Sequence, residues 1–588
     1  MKLRKLFAGV AAAATLLSGM ALGAGSAMAA DPTGSATITL SGATNAVKGH
    51  AYKVVKIGSY DHASIKQDGK VEGVHVTTDE ATAEAATTVL TKVSGNSNWN
   101  TGDYKDNPVG YVAAHSDMFA SSTAEPWTGK LREFVSGLVQ QPEFQTALAG
   151  ATEHVADSDT YTINGLKDGL YIVIDTTADN ADGVDHKHTN SIPMLVATKI
   201  DGHDFANQKL GSIKVKNQPT DINKVIVKDN KDMTGTTEKV GDTVTFKLTS
   251  KVPLTVGYLN TADKPYQFQM TDTMSKGLTF SSVTSVKIGS KTLNAANGTA
   301  TADADHYKLI TTGKQKYNDA ATESTATTLL FDLSNAVYAA GQHAASSKAD
   351  AKAADTITIT YTAILNKDAI HAQNGANPNR VDLDYSHNPA DNSTHHVPGP
   401  EVKVYTYDFG FTKVKADGQT SLDGAKFTIK KGDQYLKFNE TTGLWENGTA
   451  NDKFTGVDGK FEFKGLGEGT YDIEETDVPA GYLSTTRAKF QVVITATHKD
   501  KDKDNNVLDN AYTVKFVNGN SGFDMLTNLD KDGIASSGGV KVKNITSITQ
   551  LPLTGATGIA IFGVMAVMVI GAGLAIGAKR RSIANRLA

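Results

Sequence analysis

Cysteine is absent from the 588-residue sequence, which excludes disulfides as a source of stability. The formal net charge is only −5, so the chain also lacks an electrostatic basis for binding nucleic acid. Aromatic residues are sparse as well, at 7% of the chain. The sequence shows no nucleophile triad, phosphate-binding loop or paired glycosidase carboxylates, so nothing in it supports an enzyme with turnover, a cofactor or a catalytic metal.

Threonine, valine, glycine, aspartate and asparagine are plentiful, a composition typical of β-strands joined by turns. The length allows three or four domains at roughly 100–200 residues each. Alternating runs such as 243–248 and 356–365 predict antiparallel β-sandwiches. A single amphipathic helix is expected near 131–138, because apolar residues recur there with helical spacing.

The N-terminus has the pattern of a secretion signal. Basic residues at its start are followed by an apolar stretch from Leu6 to about Leu22 and by the small residues around Ala29. This order predicts a signal peptide over 1–29, removed after Ala29.

The C-terminus has three parts in a fixed order. A pentapeptide (551–555) precedes an apolar segment (557–578) and a basic tail (579–588). The apolar segment is long enough to cross roughly 30 Å of hydrocarbon as a helix, with the basic tail remaining cytoplasmic. The pentapeptide is Leu551, Pro552, Leu553, Thr554 and Gly555. This arrangement resembles the cell-wall sorting signal of Gram-positive surface proteins, which implies sortase cleavage between Thr554 and Gly555 and attachment to peptidoglycan.

Between the two ends we predict three domains, over 30–216, 217–398 and 399–546. The boundary between the second and third is placed at the Pro-Gly-Pro run 398–400. The segment 165–171 recurs 300 residues later as 465–471, each copy with the pattern Gly-Leu-x-x-Gly-x-Tyr. The first and last domains are therefore expected to be versions of one β-sandwich.

The last domain contains Lys413 in its opening strand, Glu475 before the Pro-Ala-Gly-Tyr turn 479–482, and Asn544 in its closing strand. This ordered set resembles the Cna B-type domains of Gram-positive adhesins and pilins. The resemblance implies an intramolecular isopeptide bond between Lys413 and Asn544, promoted by Glu475 as a catalytic acid. Burial favours such a reaction because it lowers the pKa of a lysine and raises that of a carboxyl group.

The middle domain contains a parallel set. Lys224 lies in its first strand, Asp272 follows in a central strand, and Asn379 comes before the last strands. Resemblance to the middle domain of backbone pilins implies a Lys224–Asn379 bond with Asp272 as the acid. Asn377 and Asn388 are the competing candidates for the asparagine.

The first domain departs from this pattern. Asp175 occupies the position of Glu475 in the repeat, but the opening strand has Ile38 and Thr39 where a lysine is needed, within a residue or two. We predict no isopeptide bond in the first domain.

The junction between the first two domains reads Ile-Lys-Val-Lys-Asn over 213–217. Backbone subunits of sortase-assembled pili carry an acceptor lysine at this place, in a Val-Tyr-Pro-Lys motif often followed by asparagine. Lys216 matches by location and by Asn217, while Lys214 and Val215 replace the tyrosine and proline, so Lys214 is the alternative.

The whole chain resembles the major subunit of Gram-positive sortase-assembled pili. This implies immunoglobulin-like, Cna B-type domains in an elongated rod and a covalent homopolymer joined from Thr554 to Lys216. The implied partners are pilus-specific and housekeeping sortases, minor tip and base pilins, peptidoglycan and a host glycan or matrix ligand. The alternative is a monomeric adhesin anchored to peptidoglycan.

Overall fold

The architecture is that of a computed structural model. The structure describes residues 34–115, 129–178, 188–204, 210–215, 217, 220–296, 303–315, 326–343, 345, 347–371, 374–389, 392–502, 505–518 and 525–550. The predicted signal peptide, Lys216, the sorting pentapeptide and the predicted membrane segment lie outside these residues. Within the described ranges, no helix is both long and apolar enough to span a membrane.

The first part of the chain forms two sheets and a group of helices. One sheet has the order β5-β1-β8, and the other has the order β3-β2-β6-β7, with β4 pairing to β2. The elements are β1 (Ser35–Ser41), β2 (Ala51–Ile65), β3 (Val71–Thr78), α1 (Ala83–Ser94), α2 (Pro108–Ala114), α3 (Lys130–Val139), α4 (Pro142–Gly150), β4 (Glu153–Val155), β5 (Thr160–Lys167), β6 (Gly169–Asp175), β7 (Met194–Ala197) and β8 (Ser212–Lys214).

The helix predicted near 131–138 corresponds to α3, whose apolar stripe is buried in one core with strands of the second sheet. Helices α1, α2 and α4 were missed by the sequence analysis. Two of them have start signals that the sequence does contain. Pro108 and Pro142 each open a helix, and the side chain of Asn107 caps α2 by accepting a hydrogen bond from the Gly110 N–H at 3.1 Å.

The middle part of the chain is a sandwich of two larger sheets. Their orders are β10-β9-β12-β19-β14-β15 and β11-β21-β20-β13-β18-β17-β16. The elements are β9 (Ile222–Lys228), β10 (Lys231–Met233), β11 (Gly235–Thr237), β12 (Thr243–Lys251), β13 (Phe268–Met274), β14 (Leu278–Ile288), β15 (Lys291–Thr292), β16 (Asn294–Ala295), β17 (His306–Gln315), β18 (Ala326–Asp332), α5 (Ser334–Gly341), β19 (Thr356–Leu365), β20 (Asn377–Ser386) and β21 (Thr394–Tyr405).

Strand β21 runs through the Pro-Gly-Pro segment at which the sequence analysis placed a domain boundary. The strand accommodates Pro400 because its pairing with β20 is irregular there: Asp382 is opposite Pro398 and Arg380 is opposite Glu401. Residues 399 and 400 therefore stand in a bulge, where a missing N–H breaks no ladder bond. The change from one sheet to the next falls instead at Thr406, between β21 and the following strand.

The last part of the chain again forms two sheets. Their orders are β27-β22-β32-β31 and β25-β24-β23-β28-β29-β30, with β26 pairing to β23. The elements are β22 (Tyr407–Val414), β23 (Lys426–Lys431), β24 (Gln434–Asn439), β25 (Leu444–Asn447), β26 (Phe454–Thr455), β27 (Lys460–Leu466), β28 (Gly469–Asp477), β29 (Lys489–Asp502), β30 (Asn505–Asn518), β31 (Leu526–Thr527) and β32 (Lys541–Lys543). The mostly β fold class predicted from the sequence is confirmed.

The 300-residue repeat has the same geometry in both copies. Gly165 and Gly465 take left-handed backbone angles, with φ of 77° and 76°. The hydroxyl of Tyr171 donates to the Lys167 carbonyl at 2.7 Å, and that of Tyr471 donates to the Gly467 carbonyl at 2.7 Å. In each copy the strand after the turn carries the acidic residue, and the opening strand pairs with the strand before the turn.

Candidate crosslinking sites in the domain cores

The alternation of β22 places a lysine in the core of the last domain. Tyr407, Phe409 and Phe411 face inward, and the same two-residue period directs Lys413 inward after them. Glu475 continues the inward set of β28 in the same way. Lys413 and Glu475 are both fully buried, and Asn544 just after β32 is 2% exposed.

The three side chains form a closed set of contacts. The Lys413 ammonium nitrogen donates to Glu475 Oε2 at 3.1 Å and to Asn544 Oδ1 at 2.6 Å. The Asn544 amide nitrogen donates to Glu475 Oε1 at 2.8 Å. The structure thus brings the predicted amine, amide and acid within hydrogen-bond distance of one another.

Burial changes the chemistry of the amine. Desolvation lowers the pKa of Lys413 to about 8, although the carboxylate of Glu475 opposes the shift. The amine also lies over the Phe427 ring, 5.5 Å from its centroid. The neutral, nucleophilic form of the amine is therefore far more accessible near neutral pH than in an exposed lysine.

The set predicted in the middle domain also converges. Lys224 lies between the inward residues Ile222 and Ile226 of β9, Asp272 faces inward on β13, and Asn379 faces inward on β20. The side chains of Lys224 and Asp272 form a fully buried ion pair. Asn379 is also fully buried.

Tyr361 of β19 links the members of this middle set. Its hydroxyl donates to Asp272 Oδ1 at 2.7 Å and accepts from the Lys224 amine at 3.1 Å and from the Asn379 amide nitrogen at 2.7 Å. The Asn379 Oδ1 atom is buried without a hydrogen-bond partner among the described residues. The sequence analysis missed Tyr361, because one inward tyrosine in an alternating strand looks like any core residue.

Burial shifts the pKa of the lysine in the middle set in the same direction as the pKa of Lys413. Desolvation lowers the pKa of Lys224 to about 8 against the attraction of Asp272. Desolvation also raises the pKa of Asp272 above its ordinary value, which favours the protonated acid.

The competing asparagines have other surroundings. The Asn377 side chain accepts from the Ile370 N–H at 2.7 Å and donates to the carbonyls of Ile370, at 2.9 Å, and Val404, at 3.2 Å. Asn388 follows β20, and its carbonyl accepts the backbone N–H of Asn392 at 2.9 Å. Of the three candidates, Asn379 is the one hydrogen-bonded to Tyr361 within the Lys224–Asp272 set.

The first domain has a different residue at the lysine position. Ser41 is paired with Thr160 as Thr412 is with Lys460, so Gly42 corresponds to Lys413. This position is three to four residues beyond Thr39 and Ile38, where the sequence alignment placed it. A Cβ atom at Gly42 would come within 2.9 Å of side-chain carbons of both Ala46 and Val215.

Asp175 in this domain faces a histidine instead. Its Oδ2 atom lies 2.9 Å from His50 Nδ1, with both side chains fully buried. Oδ2 also accepts a hydrogen bond from the Ser191 N–H at 2.8 Å, and Oδ1 accepts one from the Thr177 hydroxyl. The imidazole of His50 thus faces the acid in the place of the amine found in the other two domains.

Of the two candidate acceptor lysines, Lys214 is described and lies exposed on β8. Lys216, two residues further on, and the sorting pentapeptide lie outside the described residues.

Comparison with known proteins adds two family matches. Residues 407–508 match the SpaA prealbumin-like fold domain, and residues 546–584 match the LPXTG cell wall anchor motif. A search of curated protein sequences finds no match.

Several solved structures are similar to the chain. The full-length major pilin SpaD of Corynebacterium diphtheriae shares 17% identity over 88% of this chain and 98% of its own, with a TM-score of 0.41. The T6 backbone pilin of serotype M6 Streptococcus pyogenes shares 17% identity over 88% and 99%, with a TM-score of 0.46. The major pilin subunit BcpA of Bacillus cereus shares 12% identity over 87% and 100%, with a TM-score of 0.37.

The two family matches confirm the predicted cell-wall anchor and a pilin-type β domain in the last part of the chain. The anchor match includes the predicted sorting pentapeptide, and the domain match includes Lys413 and Glu475. Neither matched family is an enzyme family. The protein is a cell-wall-anchored surface protein of the Gram-positive type, with a prealbumin-like SpaA domain ahead of its LPXTG anchor.

Proposed function

We propose that the protein is the backbone subunit of a covalently polymerised cell-surface pilus. The observation that supports a covalently braced subunit is the buried contact of Lys413 with Glu475 and Asn544, and polymerisation adds the sorting signal and an acceptor lysine at the first domain junction. Burying an unlinked lysine and carboxylate is costly. A crosslink that converts the amine to an amide removes that penalty and gives a cysteine-free exported chain a covalent brace.

The chemistry in the last domain needs no external reagent. The neutral Lys413 amine attacks Cγ of Asn544, and Glu475, which contacts both the amine and the amide nitrogen, takes up the amine proton as the tetrahedral centre develops. The Cγ–Nδ2 bond then breaks, the acid relays the amine proton to the leaving nitrogen, and one ammonia departs. Proximity and orientation supply the activation.

The same reaction is proposed in the middle domain, between Lys224 and Asn379 with Asp272 as the acid. Tyr361 is a positioning residue here, since its hydroxyl contacts the amine, the acid and the amide. Each domain reacts once, so the step is maturation and not turnover.

The joint between subunits uses a sortase supplied by another protein. Its cysteine attacks the Thr554 carbonyl, the Thr554–Gly555 peptide bond breaks, and an acyl-enzyme forms. The amine of Lys216 on a second subunit then displaces the sortase thiol and forms the intersubunit isopeptide bond. Lys214 remains the alternative acceptor.

In this proposal, a housekeeping sortase finally joins the polymer to peptidoglycan, minor pilins occupy tip and base, and the fibre supports adhesion to a host glycan or matrix ligand. A monomeric, wall-anchored adhesin is the second candidate. It shares the sorting signal and internal crosslinks but needs no acceptor lysine.

The test is a blot of wall extracts boiled in detergent. The proposal predicts a ladder of high-mass species in the unmodified strain and its loss in Lys216→Ala, with Lys214→Ala as the matched control that keeps the ladder. A single monomer band in the unmodified strain would contradict polymerisation and favour the adhesin.

A further inference from the structure

The strand carrying the acceptor candidates and the closing strand of the last domain are copies of one element. The sequence Ile-Lys-Val-Lys-Asn over 213–217 recurs as Val-Lys-Val-Lys-Asn over 540–544. The strand pairing agrees with this sequence match. Ser41 pairs with Lys214 in the parallel ladder of β1 and β8, and its counterpart Thr412 pairs with Lys541 in the parallel ladder of β22 and β32. By this register Lys216 corresponds to Lys543, and Asn217 to Asn544.

In the last domain the outer edge of this element is covered. Strand β31 pairs antiparallel with β32, with Thr527 opposite Lys541 and Leu526 opposite Val542. The backbone N–H of Lys543 donates to the Met525 carbonyl at 2.9 Å. The backbone groups of Lys541 and Lys543 that point away from β22 therefore face β31 and the residue before it.

In the first domain the same edge is open within the described part of the chain. The Gly211 carbonyl and the Val215 N–H bond to β1, at 2.8 Å from Thr39 N and 2.9 Å from Ser41 O. Because the hydrogen-bonding direction alternates along a strand, the backbone groups of Ser212 and Lys214 point away from β1. Both residues are exposed, and β8 is the end strand of its three-stranded sheet.

We propose that this β8 edge docks residues 551–554 of a second copy of the chain as an added strand. The inference rests on the proposed polymerisation and specifies how the acyl donor is presented to the acceptor. An open edge is a template for pairing with another chain, and strand addition is a general mode of peptide recognition.

The sorting segment has suitable chemistry for this edge. Pro552 has no N–H, so an added strand must direct that residue away from β8. Alternation then turns the backbone groups of Leu551 and Leu553 toward β8, and both residues have the N–H that pairing needs. The ten residues from Asn544 to Thr554 span at most roughly 33–36 Å, enough to reach from the core of one subunit to a neighbour.

Docking on β8 also accounts for the choice of acceptor. It would place the Thr554 end of the incoming segment on β8, which ends two residues before Lys216 in the chain, so that the acceptor amine would react at high effective concentration. Few backbone bonds are available, and the encounter is therefore weak outside the sortase complex.

The first experiment compares Ser212→Pro with Ser212→Ala in the sortase-dependent wall ladder. Proline removes the outward N–H and also fixes φ at residue 212, whereas alanine keeps the N–H. Polymer formation should fall about tenfold in Ser212→Pro, as expected for one lost positioned hydrogen bond, and stay unchanged in Ser212→Ala. A normal ladder in Ser212→Pro together with loss of the ladder in Lys216→Ala would overturn the docking while leaving the pilus proposal standing.

The second experiment does not depend on the folding of a variant. A synthetic peptide of residues 546–555 is added to the mature wild-type protein, and amide hydrogen exchange is followed at Ser212 and Lys214. Exchange at both amides should slow, and a peptide N-methylated at Leu553 should have no effect. Exchange unaffected by either peptide at millimolar concentration would contradict the proposal.

Discussion

At the level of single residues, the two Lys–acid–Asn sets reach the same juxtaposition by different contacts. In the last domain the amine donates directly to the amide oxygen of Asn544. In the middle domain Tyr361 stands between amine and amide, and the Asn379 oxygen is left without a partner among the described residues. A buried acceptor without a hydrogen-bond partner is unfavourable in a folded core. Its presence at Asn379 is consistent with an amide that has yet to react with the lysine.

Replacement of Glu475 by glutamine tests the role of the acid. Glutamine keeps the size of the side chain but cannot shuttle a proton, so the bond in the last domain should fail to form. By intact mass spectrometry, the mature variant should be heavier than the wild type by one ammonia, after allowance for the substitution itself. Glu474→Gln is the matched control, because Glu474 faces outward and pairs with Lys489 at 2.7 Å. A mass in Glu475→Gln that differs from the wild type only by the substitution itself would contradict the assignment.

The lowered pKa of Lys413 predicts a pH dependence in a variant that cannot crosslink, Asn544→Ala. Between pH about 8 and about 10.5 the unfolded lysine binds a proton and the folded one does not. The free energy of unfolding should therefore rise with pH across this window. The crosslinked wild type, whose nitrogen is an amide, should lack this contribution. Pulse proteolysis in urea measures the free energy of unfolding of the variant and of the wild type. The same pH dependence in the two proteins would contradict a free, buried amine in the variant.

Some of these residues could be identified from sequence and others could not. Lys413 and Glu475 extend inward-facing runs of aromatic and aliphatic residues, so their burial is encoded in the alternation itself. Tyr361 and His50 carry no such signal, because a tyrosine or histidine at an inward position is common in cores. Their roles depend on which strands become neighbours, and that information is not local.

At the level of elements, each proposed crosslink ties an early strand to a late one. Strands β22 and β32 run parallel and adjacent, so tension along the chain loads them in shear. The bond from residue 413 to residue 544 closes a loop of 131 residues. By analogy with disulfides, closing such a loop stabilises the domain by about 5 kcal/mol.

The double variant Lys413→Met, Glu475→Gln measures this stabilisation without leaving a buried charge. We expect the last domain to lose about 5 kcal/mol of unfolding free energy. The matched control is Lys415→Met, Glu474→Gln, which alters two outward-facing positions beside the same strands. Pulse proteolysis, scored on the fragment that contains the last domain, gives both values. Equal stability of the two double variants would argue against a covalent brace.

The repeated lysine strand shows what sequence reading can miss at this level. The segments 213–217 and 540–544 are nearly identical, yet their equivalence becomes clear only when both are seen parallel to the opening strand of their domain. The same comparison moved the lysine position of the first domain to Gly42. The segments between the opening strand and the repeated turn differ in length in the two domains, and this difference offsets any simple alignment.

At the level of the whole molecule, the crosslinks follow the proposed path of force. Tension would enter a subunit at Lys216 and leave at Thr554, and so would pass through the middle and last domains. Those are the two domains in which a lysine, an acid and an asparagine meet in the core. The first domain lies before Lys216 in the chain, and it holds the His50–Asp175 pair instead.

The most direct test of this account is tandem mass spectrometry of peptides released from purified high-mass wall material. The account predicts a branched peptide in which the Thr554 carbonyl is joined to the side-chain amine of Lys216. A branch at Lys214 would move the acceptor by two residues and keep the polymer. Recovery of Thr554 joined only to peptidoglycan fragments would contradict the central claim that this chain builds a covalent fibre.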